Sequence, residues 1–181
     1  MNGLNEIRVL KAAHFAALKH KDQRRKDHNA SPYINHPIAV ALIIAEIGRV
    51  DDPDVLAGAL LHDTIEDTDT TPDELDREFG SRIRALVEEV TDDTRLPSKE
   101  RKRLQVEHAA GLSADAVLIK LGDKIANVKD MIKAPPVGWD STRRREYLDW
   151  AESVIANCPK VNATLESQFN QILKRARNAL R

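Results

Sequence analysis

Apolar residues recur at three- and four-residue intervals along nearly the whole chain, which is the spacing of an α-helix with one buried face. Within Asn5–Lys19, for example, Ile7, Leu10, Phe15 and Leu18 follow this spacing and predict a first helix. No run of residues alternates convincingly between apolar and polar side chains, as a half-buried strand would. The pattern therefore predicts a compact all-α fold of about eight helices.

Residues that cap helix ends mark several of the boundaries. Asp52, Thr71 and Ser113 each stand just before a helical pattern, where a side-chain oxygen can accept a hydrogen bond from a free backbone N–H. Ser98 is predicted to cap a further helix in the same way, and the last helix is expected over Pro159–Arg181. No linker or repeat separates these segments, so we expect a single domain over residues 1–181.

Composition and charge narrow the possible functions. The 181 residues include 28 basic and 29 acidic side chains, a net charge of −1, and only 4% aromatic residues. A nucleic-acid partner is therefore not expected, because such proteins usually carry a basic excess or stacking aromatics. The one cysteine, Cys158, cannot form an internal disulfide, and the longest nearly apolar stretch, Ile38–Ile47, is too short to span a membrane. With no visible signal peptide, we expect a cytoplasmic protein without a membrane partner.

The segment richest in potential metal-binding and catalytic side chains is His-Asp-Thr-Ile-Glu-Asp-Thr, residues 62–68. If one helix continues through it, His62 and Glu66 share a face, and so do Asp63 and Asp67. Imidazole and carboxylate groups in one small volume suit a divalent ion such as Mn²⁺, Fe²⁺ or Zn²⁺. The alternative is a helix end with solvated acids and a packed histidine. The doubled acidic pattern favours the metal site.

Two other segments offer polar side chains at suitable positions. His36 precedes a proline at a helix start, where its ring can point toward a neighbouring element. The helix predicted over Asp115–Ile132 carries an apolar stripe and, on a different face, a polar one, formed by Lys120, Asp123, Asn127 and Asp130. That polar face is either solvated or the wall of a site, and spacing alone leaves both open.

Three clusters of positive charge stand out at residues 24–26, 99–103 and 143–145. Such clusters are more often simple surface charge. The first lies in the polar, turn-rich loop Lys21–Asn35, just before His36, so it could reach a site that contains this histidine. No glycine-rich phosphate loop is present, which argues against chemistry driven by nucleoside triphosphates.

Together these residues resemble the signature of the HD superfamily of metal-dependent phosphohydrolases, here His36, His62-Asp63 and Asp123. The likeness extends to the hydrolase domain of the RelA/SpoT-homologue family, most closely to its small stand-alone alarmone hydrolases of metazoan SpoT-homologue type. It rests on segments that occur in the family's order: Gln23–Asp27, Tyr33–Pro37, His62–Thr68, Val90–Asp92, Lys120–Lys124, Asn127 and Tyr147–Trp150.

The resemblance implies hydrolysis of guanosine tetra- or pentaphosphate (ppGpp or pppGpp) at the 3′-pyrophosphate, with one Mn²⁺ bound. The products would be GDP or GTP and pyrophosphate. By position, the implied metal ligands are His36, His62, Asp63 and Asp123. Glu66 and Asp67 resemble the pair that orients and deprotonates the attacking water. The implied substrate contacts are Arg25, Lys26, Lys120, Asn127 and Tyr147.

Three positions depart from the family pattern. Gly122 replaces the usual alanine, and we expect it to loosen the helix that presents Asp123, since glycine is unfavourable within helices. Ala126 stands where an aromatic residue or histidine is common, and we expect it to change the wall of the nucleoside pocket. Lys129 replaces a common arginine.

Two alternatives remain beside the alarmone hydrolase. One is an HD phosphohydrolase for another phosphorylated nucleotide, such as NADPH, because the motifs define the metal and water chemistry better than the leaving group. The other is a non-catalytic module that binds a nucleotide without turnover. A degenerate domain of that kind should lose Glu66, Asp67 or a metal ligand, and this sequence keeps them all.

Overall fold

The computed structural model describes residues 3–180, with side chains from residue 5 onward, and it confirms the all-α prediction. No strand occurs within these residues; the only sheet-like contact there is a bridge between Arg24 and Pro32. The helices are α1 Gly3–Lys19, α2 Asn35–Leu42, α3 Pro53–Leu61, α4 Thr64–Asp67, α5 Pro72–Phe79, α6 Ser81–Val90, α7 Ser98–His108, α8 Ala114–Lys133, α9 Ser141–Asn157 and α10 Ala163–Ala179. A π-helical turn, Ile43–Ile47, extends α2, and a 3₁₀ turn, Ala109–Gly111, follows α7.

Helix α8 forms the centre of the molecule. It packs against α2, α3, α6, α9 and α10, so that most of its circumference is covered. The predicted apolar stripe is buried at Val117, Leu121, Ile125 and Val128, whereas Ile132 near the helix end is partly exposed. Because other helices surround α8, Asp123 and Asn127 on its polar face are partly shielded from solvent, whereas Lys129 is exposed.

The helix caps follow the sequence signals at three positions and depart from them at two. Side chains of Asp52, Thr71 and Ser113 each accept a hydrogen bond from a backbone N–H of the helix that follows. The prediction for Ser98 is wrong: Ser98 is the first helical residue, and α7 begins without a side-chain cap. The start of the last helix is also wrong, because Asn162 provides the cap and α10 begins at Ala163; the predicted last residue, Arg181, lies outside the described residues.

Helix α1 buries a different face from the one that its large apolar residues suggest. Ile7, Leu10 and Leu18 are exposed, at 62%, 68% and 57% respectively. The helix instead packs on α3 through Ala12 and Ala16, which are fully buried. Small side chains let two helix backbones approach closely, and this close approach leaves Ile7, Leu10 and Leu18 outside the core, whereas Phe15 packs against it.

The chain turns at His62 and Asp63 instead of continuing as one helix. Helix α3 ends at Leu61, and α4 is a separate turn that starts at Thr64. Thr64 is buried, and its hydroxyl donates a hydrogen bond to the carbonyl of Leu61 at 2.7 Å, which stabilises the junction. The helix therefore does not continue through this segment, and α4 presents Glu66 and Asp67 on a turn of its own.

Gly122 has a packing role in α8, which continues unbroken through it. A Cβ atom added at this position would lie 2.9 Å from Cγ1 of Ile44 and 3.1 Å from Cγ1 of Val40. Both distances are shorter than ordinary van der Waals contact. The glycine thus allows α8 to lie directly against α2 and its π-helical extension, and this contact places Asp123 next to His36.

None of the helices in the described part of the chain is both long enough and apolar enough to cross a membrane.

Candidate functional site

Two histidines and an aspartate from different helices form a compact group of possible metal ligands. His36 lies in the first turn of α2, His62 follows the end of α3, and Asp123 lies in the middle of α8. One ligand atom from each residue lies within 4.8 Å of the others. Asp63 is not part of this group but lies beside it, with its Oδ2 3.1 Å from His62 Nε2 and 3.8 Å from His36 Nε2.

The orientation of His62 fits a metal ligand. Its Nδ1 lies 2.8 Å from the carbonyl oxygen of Ala59, a contact in which Nδ1–H must donate because a carbonyl only accepts. Nε2 then faces the carboxylates, where it can carry a proton or, once deprotonated, offer its lone pair to a metal ion. This atom is buried and has no hydrogen-bond partner within the described residues. A metal-ligating histidine typically holds its second nitrogen in this way, so the donor set fits a divalent ion.

The charges around the group also favour a cation. Burial lowers the pKa of His62, but the carboxylates of Asp63 and Asp123 more than offset this, and the pKa stands at about 9. Burial acts in the opposite direction on Asp123, yet Lys124 and His36 hold the pKa of that carboxyl well below its usual range. Two ionised carboxylates this close together repel each other, and a cation between them would stabilise the group.

Neighbouring side chains orient the two aspartates. The hydroxyl of Tyr33 donates to Oδ2 of Asp63 at 2.7 Å. On the other aspartate, Lys124 Nζ lies 3.0 Å from Oδ2 of Asp123, and the side-chain amide of Asn127 donates to Oδ1. Tyr33 and Lys124 had no predicted role, although both lie in the segments that carried the resemblance.

Glu66 and Asp67 lie beside the group and are held by separate partners. Oε1 of Glu66 accepts from Arg101 Nη1 at 2.9 Å, and Oε2 accepts from the backbone N–H of Asp92 at 3.2 Å. Oδ2 of Asp67 accepts from the side-chain amide of Gln23 at 2.9 Å. Burial, with the negative charge of Asp92 as the next contribution, raises the pKa of Glu66 to about 7. A carboxylate with this pKa suits proton transfer near neutral pH.

The proposed metal ligands and the acidic pair, Glu66 and Asp67, open onto one cavity of about 430 Å³, which is the size of a small-ligand site. Every site residue predicted from the sequence lines it: His36, His62, Asp63, Asp123, Glu66, Asp67, Arg25, Lys26, Lys120, Asn127 and Tyr147. The structure therefore brings the predicted residues together, and their individual roles remain predictions.

Two basic residues face the cavity from the loop between α1 and α2. Nη2 of Arg25 donates to Asp130 at 2.9 Å and to the side-chain oxygen of Asn127 at 3.1 Å, so this guanidinium is oriented by α8. Lys26 follows it and is exposed. Because the loop is anchored on α8 through Arg25, its positive charge is brought to the mouth of the cavity.

The basic cluster at residues 99–103 contributes to the site as well, which its sequence did not indicate. Arg101 contacts Glu66, as described above, and Lys102 lies over the ring of Trp150 at 5.1 Å. On α8, Lys120 is buried, and its Nζ donates to the carbonyl of Val90 at 3.2 Å; burial lowers the pKa of this amine. Of these three, only Lys120 lines the cavity, and Arg101 reaches the site through its contact with Glu66.

Three aromatic side chains, Trp139, Tyr147 and Trp150, form an aromatic wall of the cavity. The ring centroids of Trp139 and Tyr147 are 5.9 Å apart, and those of Tyr147 and Trp150 are 5.3 Å apart. Arg143 lies over Trp139 at 4.4 Å, and Lys124 lies over Trp150 at 4.3 Å. The three-residue spacing of Tyr147 and Trp150 on one helix could have suggested this wall. No sequence signal pointed to Trp139.

Ala126 does not line this cavity. It faces a smaller neighbouring cavity of about 200 Å³, together with Lys129 and the side of His36. The expected effect of Ala126 on the nucleoside pocket therefore has no counterpart in the main cavity, because α8 turns this residue toward α2.

Known proteins with similar sequences include HD-domain hydrolases, which agrees with a metal-binding His and Asp group in this site. The HD-domain family profile matches residues 12–149. The chain is 49% identical to the guanosine-3′,5′-bis(diphosphate) 3′-pyrophosphohydrolase MESH1 of Homo sapiens, over 95% of this chain and 96% of that protein. It is 43% identical to MESH1 of Drosophila melanogaster, over 92% and 93% of the two chains.

A solved structure has the same fold. It is described as a metazoan ortholog of SpoT that hydrolyzes ppGpp, and it superposes with a TM-score of 0.90 at 43% identity, over 93% of this chain and 94% of that one. A more distant structure, from Listeria monocytogenes, shares the fold with a TM-score of 0.64 at 21% identity, over 78% of this chain and 97% of that one. The chain therefore belongs to the HD-domain family, and within it to the metazoan SpoT homologues.

Proposed function

We propose that this protein hydrolyses guanosine 3′,5′-bis(diphosphate) at its 3′-pyrophosphate. Water replaces the 3′-oxygen on phosphorus, and the products are GDP and pyrophosphate; the pentaphosphate would give GTP. The observation that carries the proposal is that the candidate metal ligands, an acidic pair and several cations open onto one cavity. The relatives at 49% and 43% identity are both named guanosine-3′,5′-bis(diphosphate) 3′-pyrophosphohydrolases, which supports the same substrate.

The metal would be held by His36, His62, Asp63 and Asp123, and we propose Mn²⁺ as the ion. A divalent ion bound there lowers the pKa of a water molecule and screens phosphoryl oxygens. The chain provides two ionised carboxylates and an oriented imidazole for this purpose, which supports a divalent cation.

Glu66 and Asp67 would orient the attacking water and accept its proton. Glu66 is fixed by Arg101 and the N–H of Asp92, so its carboxylate cannot rotate freely. Its pKa of about 7 lets it be ionised before reaction and protonated afterwards near neutral pH. Asp67 is the more exposed of the two and is oriented by Gln23.

The substrate would lie between the cations and the aromatic wall. Its phosphates carry several negative charges, and Arg25, Lys26 and Lys120 would bind them and stabilise charge that develops during attack. Asn127 and Tyr147 would contact the nucleoside end, where the aromatic wall offers flat apolar surface.

We further propose a single domain over residues 1–181 and a cytoplasmic location. The single cysteine, Cys158, is buried and free, which suits a reducing compartment.

The substrate is tested by supplying the purified protein, with Mn²⁺, with ppGpp, NADPH and a simple phosphate ester in parallel. We expect release of GDP and pyrophosphate from ppGpp. Preferential cleavage of NADPH would contradict the proposed substrate while keeping the metal and water chemistry. Binding of ppGpp with a full metal site and without turnover would exclude an enzyme altogether.

The acidic pair is tested with Glu66→Gln and Asp67→Asn. Because neither residue is a proposed metal ligand, metal content should be unchanged, whereas kcat should fall by about 100-fold or more as proton transfer is lost. Asp69→Asn is the matched control, since Asp69 is an exposed carboxylate on the same segment that pairs with Lys19 outside the cavity. Unchanged kcat in both site variants would refute the assigned role.

A further inference from the structure

His20 is a buried histidine that is not among the proposed metal ligands. It is connected to Asp67, one of the acidic pair Glu66 and Asp67, through Gln23. It directly follows α1, where its backbone N–H donates to the carbonyl of Ala16 at 2.9 Å, and its side chain is almost fully buried. Its ring stacks on Tyr33 with centroids 4.8 Å apart. Nothing in the reaction proposed above uses this side chain, so its contacts require an explanation of their own.

A hydrogen-bond chain leads from His20 to Asp67. Nδ1 of His20 lies 2.6 Å from Oε1 of Gln23, and Nε2 of Gln23 lies 2.9 Å from Oδ2 of Asp67. An ionised carboxylate only accepts, so Gln23 must present its NH₂ group to Asp67 and its oxygen to His20. Nδ1 of His20 must then carry the hydrogen. Every bond in the chain therefore donates in one direction, toward Asp67.

The backbone holds the middle of the chain in place. The N–H of Gln23 donates to the carbonyl of His20 at 3.0 Å, and the N–H of Tyr33 donates to the carbonyl of Gln23 at 3.1 Å. Gln23 is thus fixed through its main chain as well as at both ends of its side-chain amide. A long side chain held in this way directs a hydrogen bond at Asp67 with little freedom to move.

The other nitrogen of His20 indicates that the ring is not present merely for packing. Nε2 is buried and has no hydrogen-bond partner within the described residues. A buried polar atom without a partner is unfavourable, and an apolar ring would stack on Tyr33 without that cost. What the histidine provides beyond an apolar ring is the Nδ1–H bond to Gln23.

We propose that His20 and Gln23 are positioning residues that orient the carboxylate of Asp67 for proton transfer. The bond to Oδ2 fixes the plane of the carboxylate and leaves Oδ1, which has no hydrogen-bond partner within the described residues, to accept a proton from the attacking water. This inference rests on the proposed function, because Asp67 must act on a water molecule for its orientation to matter.

Two substitutions of His20 separate the hydrogen bond from the packing. His20→Phe keeps an aromatic ring against Tyr33 and removes the donor, whereas His20→Asn places an amide N–H near the position of Nδ1 and removes the ring. We expect kcat of His20→Phe to fall by about tenfold with KM and metal content unchanged, as for other residues that hydrogen-bond to side chains at a metal site. His20→Asn should retain most of the wild-type kcat. Equal losses in both variants, or a loss that follows metal content, would overturn the proposal.

Gln23 provides a test at a position that is only half buried, where a folding defect is less of a concern. Gln23→Met has a similar shape and makes neither hydrogen bond, so its kcat should fall as in His20→Phe. The double variant should be no slower than either single one, because the two residues act through one chain. Gln171→Met, at an exposed glutamine of α10 that bonds only to Ser167 within the described residues, is the control. Wild-type kcat in Gln23→Met, or additive losses in the double variant, would contradict the chain.

A spectroscopic measurement separates this proposal from the proposed function. The ¹⁵N shifts of the His20 ring in the wild type should report the Nδ1–H form, and Gln23→Met should shift the ring toward a mixture of tautomers. This result does not depend on turnover. If the wild type shows the Nδ1–H form but does not hydrolyse ppGpp, the hydrogen-bond chain stands and the proposed function fails. If it shows the Nε2–H form, the chain itself is wrong.

Discussion

At the residue scale, the environment of Glu66 explains how a carboxylate can act near neutral pH. Burial disfavours its ionised form, and the nearby charge of Asp92 acts in the same direction. Arg101 and the N–H of Asp92 donate to it and favour ionisation. Burial and negative charge outweigh the donors, so the pKa is raised from its ordinary value to about 7.

The pH dependence of the reaction should report this carboxylate. Below its pKa, Glu66 is protonated and cannot accept a proton from water, so kcat should rise with pH, with a midpoint at about 7. A pH–rate profile at saturating substrate and metal measures the midpoint. A flat profile between pH 5 and pH 9 would contradict the assignment, since about four decades of proton activity would then leave the base unaffected.

Substitution of Arg101 provides the companion measurement. Arg101→Gln removes a cation 2.9 Å from Glu66, and the midpoint should move to higher pH because a nearby positive charge favours the ionised carboxylate. Arg103→Gln is the control: Arg103 lies on the same helix but pairs with Glu100 and Glu107 at the surface. The proposed role for Arg101 fails if the two variants have the same midpoint.

At the scale of elements, the contact between α8 and α2 decides the geometry of the metal group. His36 and Asp123 come from these two helices, and their side chains lie 3.2 Å apart. Gly122, directly before Asp123, permits this approach because Ile44 and Val40 occupy the space of its missing Cβ. The expected weakening of α8 by glycine takes account only of helix propensity in the isolated helix. In the folded protein, the close packing against α2 that the glycine permits has the larger effect.

A methyl group at this contact should destabilise the protein. Gly122→Ala gains about 1 kcal/mol in helix propensity but overpacks the contact at a cost of about 1–3 kcal/mol, so the free energy of unfolding should fall by about 1 kcal/mol. Urea unfolding measures the change. Gly111→Ala is the control, because an added Cβ there meets nothing within 4 Å.

A double variant identifies the cause. Ile44→Ala removes the atoms that clash, and its combination with Gly122→Ala should be more stable than the sum of the single effects by about 0.5 kcal/mol or more. If Gly122→Ala is as stable as the wild type, or if the double-variant cycle shows no coupling, the steric explanation is wrong.

At the scale of the whole molecule, the metal group links parts of the chain that are far apart in sequence. His36 lies on α2, His62 and Asp63 form the junction of α3 and α4, and Asp123 belongs to the central helix α8. The unfolded chain does not hold these groups together. Metal binding should therefore favour the folded state as a whole rather than one local segment.

Metal removal should lower the thermal stability of the protein. A ligand present at 100 times its Kd stabilises the folded state by about 2.7 kcal/mol, so Mn²⁺ should raise Tm by several degrees, and a chelator should reverse the change. Asp123→Asn should lose the effect of Mn²⁺, because it alters a proposed ligand. Glu66→Gln should keep it. A metal-induced rise in Tm that is the same in Asp123→Asn as in the wild type would contradict the ligand assignment.

The parts of the fold that could be predicted from sequence are those set by local interactions. Helix periodicity and the caps at Asp52, Thr71 and Ser113 depend on neighbours three or four residues away, and the structure confirms them. The buried face of α1 could not be predicted in this way. Its exposed Leu10 and buried Ala16 depend on how closely α3 approaches, which is a property of the packed core.

The sequence by itself determined the helical class and the set of ionisable residues, because residue type and spacing carry that information directly. Only the tertiary structure decided how those residues meet. The turn at His62 and Asp63, the approach of α8 at Gly122, and the bonds from Arg101 to Glu66 and from Gln23 to Asp67 join residues whose contacts local spacing does not specify. The physical reason is that hydrogen bonds and burial act over a few ångströms in space, whatever the separation along the chain.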